Sequence, residues 1–502
     1  MNAPSWNFPK SNLAEEYILI TGAGVTGRST ALILSALGAQ VALCDDRVDI
    51  AQEVAQVAVI KNYPGKISAL SVSAATAQLA EFSGVVCSPG WRPDTPVLLA
   101  ASSQGLEVIG DVELAWRLDR MGQFGAPRKW VAITGTNGKT TTTAMVEKIL
   151  QAGNLKAQAV GNIGTPILEV LSQENRVDIL VAELSSFQLH WCADFIPDAG
   201  VLLNLAEDHL DWHGSMAAYA DAKAKVLRGE IAVVDPTDEL VGVYSAPIIA
   251  KYAPTVLAFS NSTVNKFDSS GVGTARGVNN LAAEQLSVTL KNPETGFLTY
   301  KPILDTTAIH PAGPAGISDA AAAAVIGYFF AKLEPAIIAQ ALANFQVAAH
   351  RGQVVHQDSG ISWVDNSKAT NPHAAAEALA GYNSVIWIAG GQLKGAQLGE
   401  LLAKQGQRLK AVAVLGVDRE AVLDAIKTAQ SRGEVAGNIS LHSIDTTDPE
   451  LAMQEAVIFS QQQAQPGDTV LLAPAAASLD MYSGMGQRGD LFAKYARLSS
   501  SK

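Results

Sequence analysis

Cysteine is scarce in this chain: three among 502 residues, at Cys44, Cys87 and Cys192, far apart in sequence. That spacing suits neither a disulfide framework nor a zinc site, so each thiol is expected to fill a small apolar space in a reducing cytoplasm. Long apolar runs are missing as well. No stretch of about 18 apolar residues occurs, which argues against a membrane span. The start, MNAPSWNFPK, lacks the charged and then apolar segments of a signal peptide. Positive charge is in deficit: 36 Lys and Arg against 48 Asp and Glu leave a net charge of −12. A nucleic-acid binder normally carries a basic footprint, so no nucleic-acid partner is expected. Local lysines and helix N-termini can still hold small anions.

Glycine, by contrast, is plentiful, with 42 residues, and apolar runs alternate with helical stretches in a chain that is 48% hydrophobic. This favours α/β layering, and the length calls for two to four domains. Three segments repeat one grammar, a β-rich run passing through glycines into a helix. In the first, Tyr17–Thr21 reads as a buried strand, Arg28–Leu37 as a helix and Val41–Cys44 as a second strand. The second is KWVAITGTNGKTTTTAMVEKIL. The third is built from SVIWIAGGQLKG, AVAVLG and TVLLAPAAASLD, three expected parallel strands with ligand-facing loops at their carboxyl ends. Ile317–Ala331 reads as a long alanine-rich helix, and Ala250–Tyr300 as short strands and turns elaborating the edge of the middle domain.

Gly22, Gly24 and Gly27 form a G-x-G-x-x-G turn, with Asp45 and Asp46 after the next strand. The spacing fits a dinucleotide fingerprint, another phosphate-bearing nucleotide, or only a tight βα turn. The loop Gly135-Thr136-Asn137-Gly138-Lys139-Thr140 is more specific. A Walker loop would place glycine at 133, where Ile133 stands, but strand and helix flank the motif as a phosphate loop requires. Its N–H groups can surround phosphate oxygens, Lys139 supplies a positive charge, and Thr140 can ligate magnesium. Glu183 ends the apolar run before two serines, and NLAEDHLDWHG carries His209 among carboxylates. A carboxylate and an imidazole at adjacent strand ends could share a magnesium ion with a nucleotide; the carboxylates fit helix caps equally well.

GTNGKT, GNIGTP, ELSSFQL, EDHLDWHGSMAAYADAK, HRGQ, SKATNPHAA, GGQLKG and PAAASLDMYSGMGQRGD occur in the order found in the Mur ligases, which this chain resembles from about Ile18 to Phe492. SKATN with ASLD and QRGD is similar to the branch that adds D-glutamate to UDP-N-acetylmuramoyl-L-alanine, and no DNPR segment points to the diaminopimelate-adding branch. The resemblance implies a cytoplasmic, monomeric ligase of three α/β domains: Rossmann-like over 1–120 for the UDP-substrate, P-loop ATPase-like over 121–347, and Rossmann-like over 348–502 for the amino acid. It also implies the chemistry: ATP phosphorylates the substrate carboxylate, and the amine of D-glutamate displaces phosphate.

Site residues follow by resemblance. ATP would lie on Gly135–Lys139, Thr140, Thr141, Asp319, His350, Arg351, Asn366 and Lys368. Two magnesium ions would be held by Thr140, Glu183, His209 and a carbamate formed on Lys223. Val25, Thr26, Asp45, Arg47, Gly90, Asn162, Ser185 and Gln188 would face the UDP-substrate; Thr370, Lys394, Ser478 and Leu479 would face D-glutamate. Three positions depart from the family pattern. Ala315–Asp319 stands where two asparagines are expected, Asn366 replaces an aspartate before SKATN, and Met485 replaces an aromatic. The departures imply altered nucleotide affinity with the chemistry intact. A folylpolyglutamate synthase, an NAD-dependent dehydrogenase read from GAGVTG alone, and a non-catalytic nucleotide-binding regulator are the rival readings.

Overall fold

A computed structural model describes residues 7–260, 276–281, 285–291, 295 and 298–499. Most of the opening MNAPSWNFPK, the SSSK end beyond Ser499, and much of Ala250–Tyr300 lie outside the described residues. The first sheet has five parallel strands, β1 (Tyr17–Thr21), β2 (Gln40–Cys44), β3 (Ile67–Leu70), β4 (Gly84–Cys87) and β5 (Val108–Gly110), ordered β3-β2-β1-β4-β5. Helices cover both faces of such a sheet, so its inner strands are continuous apolar runs rather than alternating ones.

The second sheet has nine strands. It comprises β6 (Lys129–Thr134), β7 (Ala157–Gly161), β8 (Ile179–Glu183), β9 (Ala199–Leu202), β10 (Ile231–Val234), β11 (Thr255–Ser260), β12 (Arg276–Leu281), β13 (Gln285–Lys291) and β14 (Leu298–Asp305). Their order is β14-β13-β12-β11-β10-β9-β6-β8-β7, with an antiparallel meander at the β12–β14 edge. The third sheet has six strands: β15 (Gln353–Asp358), β16 (Ile361–Asp365), β17 (Val385–Gly390), β18 (Leu409–Leu415), β19 (Ser440–Ser443) and β20 (Thr469–Leu472). Its order is β15-β16-β20-β17-β18-β19, and only the β15–β16 hairpin is antiparallel. The expected parallel trio β17, β18 and β20 forms, with β17 between the other two.

Two helix boundaries differ from expectation. The helix after the first glycine turn runs Val25–Ala36, because the turn is already complete at Gly24, its extended N-cap. A Cβ at Gly27 would stand 1.8 Å from the Gly22 carbonyl oxygen, so only glycine lets the helix start so close to the strand. The alanine-rich helix runs Pro314–Val325, starting at a proline suited to a first turn, and relaxes into a π-helical turn at Ile326–Phe330.

The first two sheets share one apolar cluster that includes Ile18, Leu43, Val112, Trp116, Trp130, Leu180 and Phe195. The Phe195 ring lies 5.9 Å from that of Trp116 and 5.8 Å from that of Trp130, both edge-on. Buried Arg117 pairs within the first unit with Glu107 at 2.7 Å and Glu113 at 2.8 Å, and across the same seam with Asp194 at 3.1 Å. Losing the guanidinium would leave the fully buried Glu113 carboxylate without a counter-charge, which makes the cluster costly to break. The third sheet closes its own two clusters, one on each face, around Trp387 and around Trp363 with Phe492. The three cysteines are free and buried. Burial pushes the Cys44 and Cys87 thiols up to about 12, out of reach of thiolate chemistry.

Candidate active site

β6 lies inside the second sheet, between β9 and β8, and delivers the GTNGKT loop at its carboxyl end. Ile133 is a fully buried strand residue paired with Glu183, which is why no glycine is needed there. Gly138 takes a left-handed φ of 79° as N-cap of the helix Lys139–Ala152. A Cβ on it would come within 2.3 Å of Asp319 Oδ1. Asp319 therefore lies directly under the loop, accepting a 3.0 Å hydrogen bond from Thr142 Oγ1. Burial drives its carboxyl well above the usual range, against the hydrogen bond from Thr142. Gly316, in the segment where the family pattern has asparagines, has no room for a side chain: a Cβ would meet the Pro311 carbonyl oxygen at 1.7 Å.

Asn204, after β9, supports the loop from the side. Its Oδ1 accepts from Asn137 N at 2.8 Å, and its Nδ2 donates to the Asn137 carbonyl at 3.3 Å. Thr136 Oγ1 lies 3.0 Å from the Tyr219 hydroxyl. Lys139 folds back on its own loop, donating to the carbonyls of Gly135 at 2.9 Å and Thr136 at 2.8 Å. Lys223, on the helix Met216–Ala224, is buried and donates to Gly135 O at 2.7 Å. Burial, then the charge of Lys139, pushes Lys223 well below an ordinary lysine. Burial lowers Lys139 as well, against the pull of Glu183 and Asp208.

Glu183 Oε1 accepts from Asn162 Nδ2 at 3.1 Å, while its buried Oε2 has no hydrogen-bond partner. His209 is a left-handed N-cap with φ 53°, its ring 4.8 Å from Phe187 and its Nε2 3.5 Å from Asp208 Oδ2. Glu183 and His209 do not come from neighbouring strands, as the sequence suggested. β6 lies between β8 and β9, so the two side chains flank the phosphate loop instead.

A cavity of about 400 Å³ opens between the second and third sheets. Thr136–Thr141, Asn162, Glu183, Ser185, His209, Lys223 and Asp319 line one side; Arg351, Asn366, Lys368 and Thr370 line the other. Burial lowers both Arg351 and Lys368, and Arg351 depresses Lys368 further. His350 is not among the lining residues. Its Nδ1 lies 2.7 Å from Asp365 Oδ2 in a left-handed turn with φ 65°, and it carries Arg351 into the cavity. Gly489 fits over this pair because a Cβ would meet His350 Nδ1 at 2.1 Å.

Apart from Ser185, the remaining predicted residues stand away from the cavity. Val25 and Thr26 form the first turn of their helix, and Gly90 is open: a Cβ added there would find nothing within 4 Å. Asp45 accepts from Ala23 N at 2.8 Å and Arg47 N at 3.0 Å. Partial burial raises its pKa, but these bonds and the Arg47 charge outweigh that and hold the carboxyl below the usual range. Ser185 and Gln188 cap each other in a capping box, and Gln188 Nε2 reaches buried Asp111 at 3.4 Å. Lys394 and Ser478 lie on loops joined by the paired backbones of Gln392 and Ala477. Leu479 is exposed beside them. Arg488, fully buried in QRGD, donates to Ser367 O, Ser367 Oγ and Ala476 O, tying the SKAT and ASLD loops together. Met485 takes part through its backbone carbonyl, which accepts from Ser367 Oγ at 2.8 Å.

Three α/β units on largely parallel sheets, with a glycine–lysine loop opening onto a cation-rich cleft, define the class of this protein. The middle unit, residues 133–285, matches the Mur ligase middle domain; residues 350–476 match the Mur ligase glutamate ligase domain, and 16–110 the MurD-like N-terminal domain. The chain is 47% identical over 479 residues to the UDP-N-acetylmuramoylalanine–D-glutamate ligase of Corynebacterium efficiens, covering 95% of this chain and 94% of that one. It is 42% identical to the enzyme of the same name from Mycolicibacterium smegmatis, over 96% of each chain. In fold it is similar to the UDP-N-acetylmuramate–alanine ligase of Thermotoga maritima, with a TM-score of 0.53 at 17% identity over 97% of this chain and 100% of that one. The chain belongs to the Mur ligase family. It is accordingly a ligase that forms C–N bonds.

Proposed function

We propose that this ligase joins D-glutamate to UDP-N-acetylmuramoyl-L-alanine at the expense of ATP, a step of peptidoglycan precursor synthesis. Residues 1–120 would take the UDP-substrate, 121–347 the ATP and 348–502 the amino acid. The observation that carries the reading is the clustering of Lys139, Arg351 and Lys368 around one cavity at the end of β6. Burial depresses all three. Such a group repels itself until an anion arrives, and a polyphosphate supplies the missing charge. The names of the relatives support the choice of acceptor and amino acid.

A carboxylate does not react with an amine unaided, because its leaving group would be oxide. Transfer of the γ-phosphoryl group to the acceptor carboxylate replaces oxide with phosphate; the amine of D-glutamate then attacks the carbonyl and phosphate departs. The protein's part is to align and compensate charge. Lys139 would leave its loop carbonyls for the phosphates, and Arg351 and Lys368 would cover them from the opposite wall.

The residues present suit magnesium. Glu183 offers a buried oxygen with no partner, and Thr140 a hydroxyl at the helix start. Among the described residues no three His, Cys, Asp or Glu side chains converge on one point, so phosphate oxygens would complete the coordination. Bound there, magnesium would neutralise charge on the transferring group. With its ammonium disfavoured, Lys223 is poised to react with carbon dioxide, and the resulting carbamate would supply a further oxygen ligand. Among the described residues no helix is long and apolar enough to cross a membrane. The deciding assay is phosphate release from ATP with the UDP-substrate. D-glutamate is expected to drive turnover and L-glutamate to give none; equal rates, or release independent of the UDP-substrate, would overturn the assignment.

A further inference from the structure

One short helix of the third domain, Pro372–Ala380, touches the second domain at both ends. At its far end, Gly381 meets Gly313, the N-cap of Pro314–Val325. A Cβ on Gly313 would lie 2.5 Å from Gly381 Cα, and one on Gly381 would lie 2.8 Å from Ala312 O. The two backbones touch there only because neither residue has a side chain. At its near end, His373 Nδ1 lies 2.7 Å from the Asn137 side-chain amide, in the middle of the phosphate loop and 236 positions away in sequence. The same ring nitrogen is 3.3 Å from Glu377 Oε1, one turn along and lining the cavity.

We propose that His373 is a positioning residue, acting through Asn137, which makes seating of the third domain and ordering of the phosphate loop a single event. The proposal rests on the reading of this cleft as the ATP site. The backbone of Asn137 is already fixed to Asn204, so only its side chain is left to reach across the cleft. Asn371 caps the helix by accepting from Ala374 N at 2.8 Å, which fixes the direction from which His373 arrives. The bond can be made in either sense: the ring nitrogen accepts from the amide N–H, or, protonated there, donates to the amide oxygen and to Glu377. His373 is about half exposed (its side chain 49%) and belongs to none of the apolar clusters, so its contact is not what holds either domain together.

Steady-state kinetics with the full-length enzyme test the proposal. Loss of one uncharged hydrogen bond in the closed state predicts that His373→Ala raises the KM for ATP by about three- to tenfold. The kcat and the KM values for the UDP-substrate and D-glutamate should stay within about twofold, and the thermal midpoint should not move. Asn137→Ala should raise the KM for ATP similarly, and the double variant no further than the larger single effect. His373→Asn, which places a donor and an acceptor near the same point, should restore the KM. Gly381→Ala, wedging the other end of the helix, should raise it as well. An unchanged KM for ATP in His373→Ala, or effects that multiply in the double variant, would overturn the role of His373. Failure of the ATP reading would look different: wild-type turnover without ATP, and no effect of Lys139→Ala.

Discussion

Two strand–turn–helix units in this molecule look alike in sequence and are opposite in charge. At the first turn, Gly22–Gly27, the N–H of Ala23 is already taken by the Asp45 carboxylate, an anion supplied by the chain itself. At the second, the Asn137 N–H is held by an uncharged amide, and Lys139 and Lys223 both donate to the loop's own carbonyls, from which an incoming phosphate can draw Lys139 away. Glycine spacing reports only that a helix can begin close behind a strand. The charge that fills the turn decides what may enter it: the second favours phosphate, whereas Asp45 favours a ligand presenting donors.

Three variants would break or sharpen that contrast. The largest effects belong to the second loop. Lys139→Ala should lower kcat by about a thousandfold, as removal of a preorganised charge from a transition state does. Lys223→Ala should fall comparably and regain activity when acetate or formate is added, if a carbamate is the working form. Full activity without rescue would exclude that form. At the first turn, Asp45→Asn should raise the dissociation constant of the UDP-substrate about tenfold, from loss of charge-assisted bonds, and leave ATP binding unchanged by calorimetry. A matching loss of ATP affinity would mean the two turns are not separate sites.

The smallest effect is on stability. Burial raises the Asp111 carboxyl to about 6 from the ordinary 3.8. The native state therefore holds this proton more tightly than the unfolded chain. The stability so gained is complete below about 3.8 and is lost as the pH climbs through about 6. Asp111→Asn should be more stable than wild type at pH 7.5, by up to about 3 kcal/mol for a shift of about two units. The advantage should fade on acidification towards pH 4, as followed by urea unfolding. A gain that did not depend on pH would point to packing instead.

Much of this is legible because it is local. The buried runs Tyr17–Thr21 and Lys129–Thr134 announce strands, and GTNGKT with the family strings locates Lys139, Glu183, Lys223 and Arg351, all of which reach the cleft or its loop. What the sequence hides is long-range. A lone asparagine at the end of a strand has no signature, so Asn204 emerges only once β9 is seen beside β6. Arg488 stands within the QRGD motif, but its task, bridging the SKAT and ASLD loops, depends on strands β16 and β20 being neighbours. The adjacency expected of Glu183 and His209 fails for the same reason: strand order, unlike strand identity, is not written locally.

The apolar cluster shared by the first two sheets has a mechanical consequence. Pulling those units apart would expose Trp116, Trp130 and Phe195 and strip Asp194 from buried Arg117, whereas the third unit carries complete cores of its own. Of the two joints in the chain, one is welded and the other is bolted. On the proposed assignment, the register between the acceptor carboxylate and the phosphate loop is set when the chain folds and persists from one turnover to the next. Only the amine and the second wall of cations have to be brought into place each time.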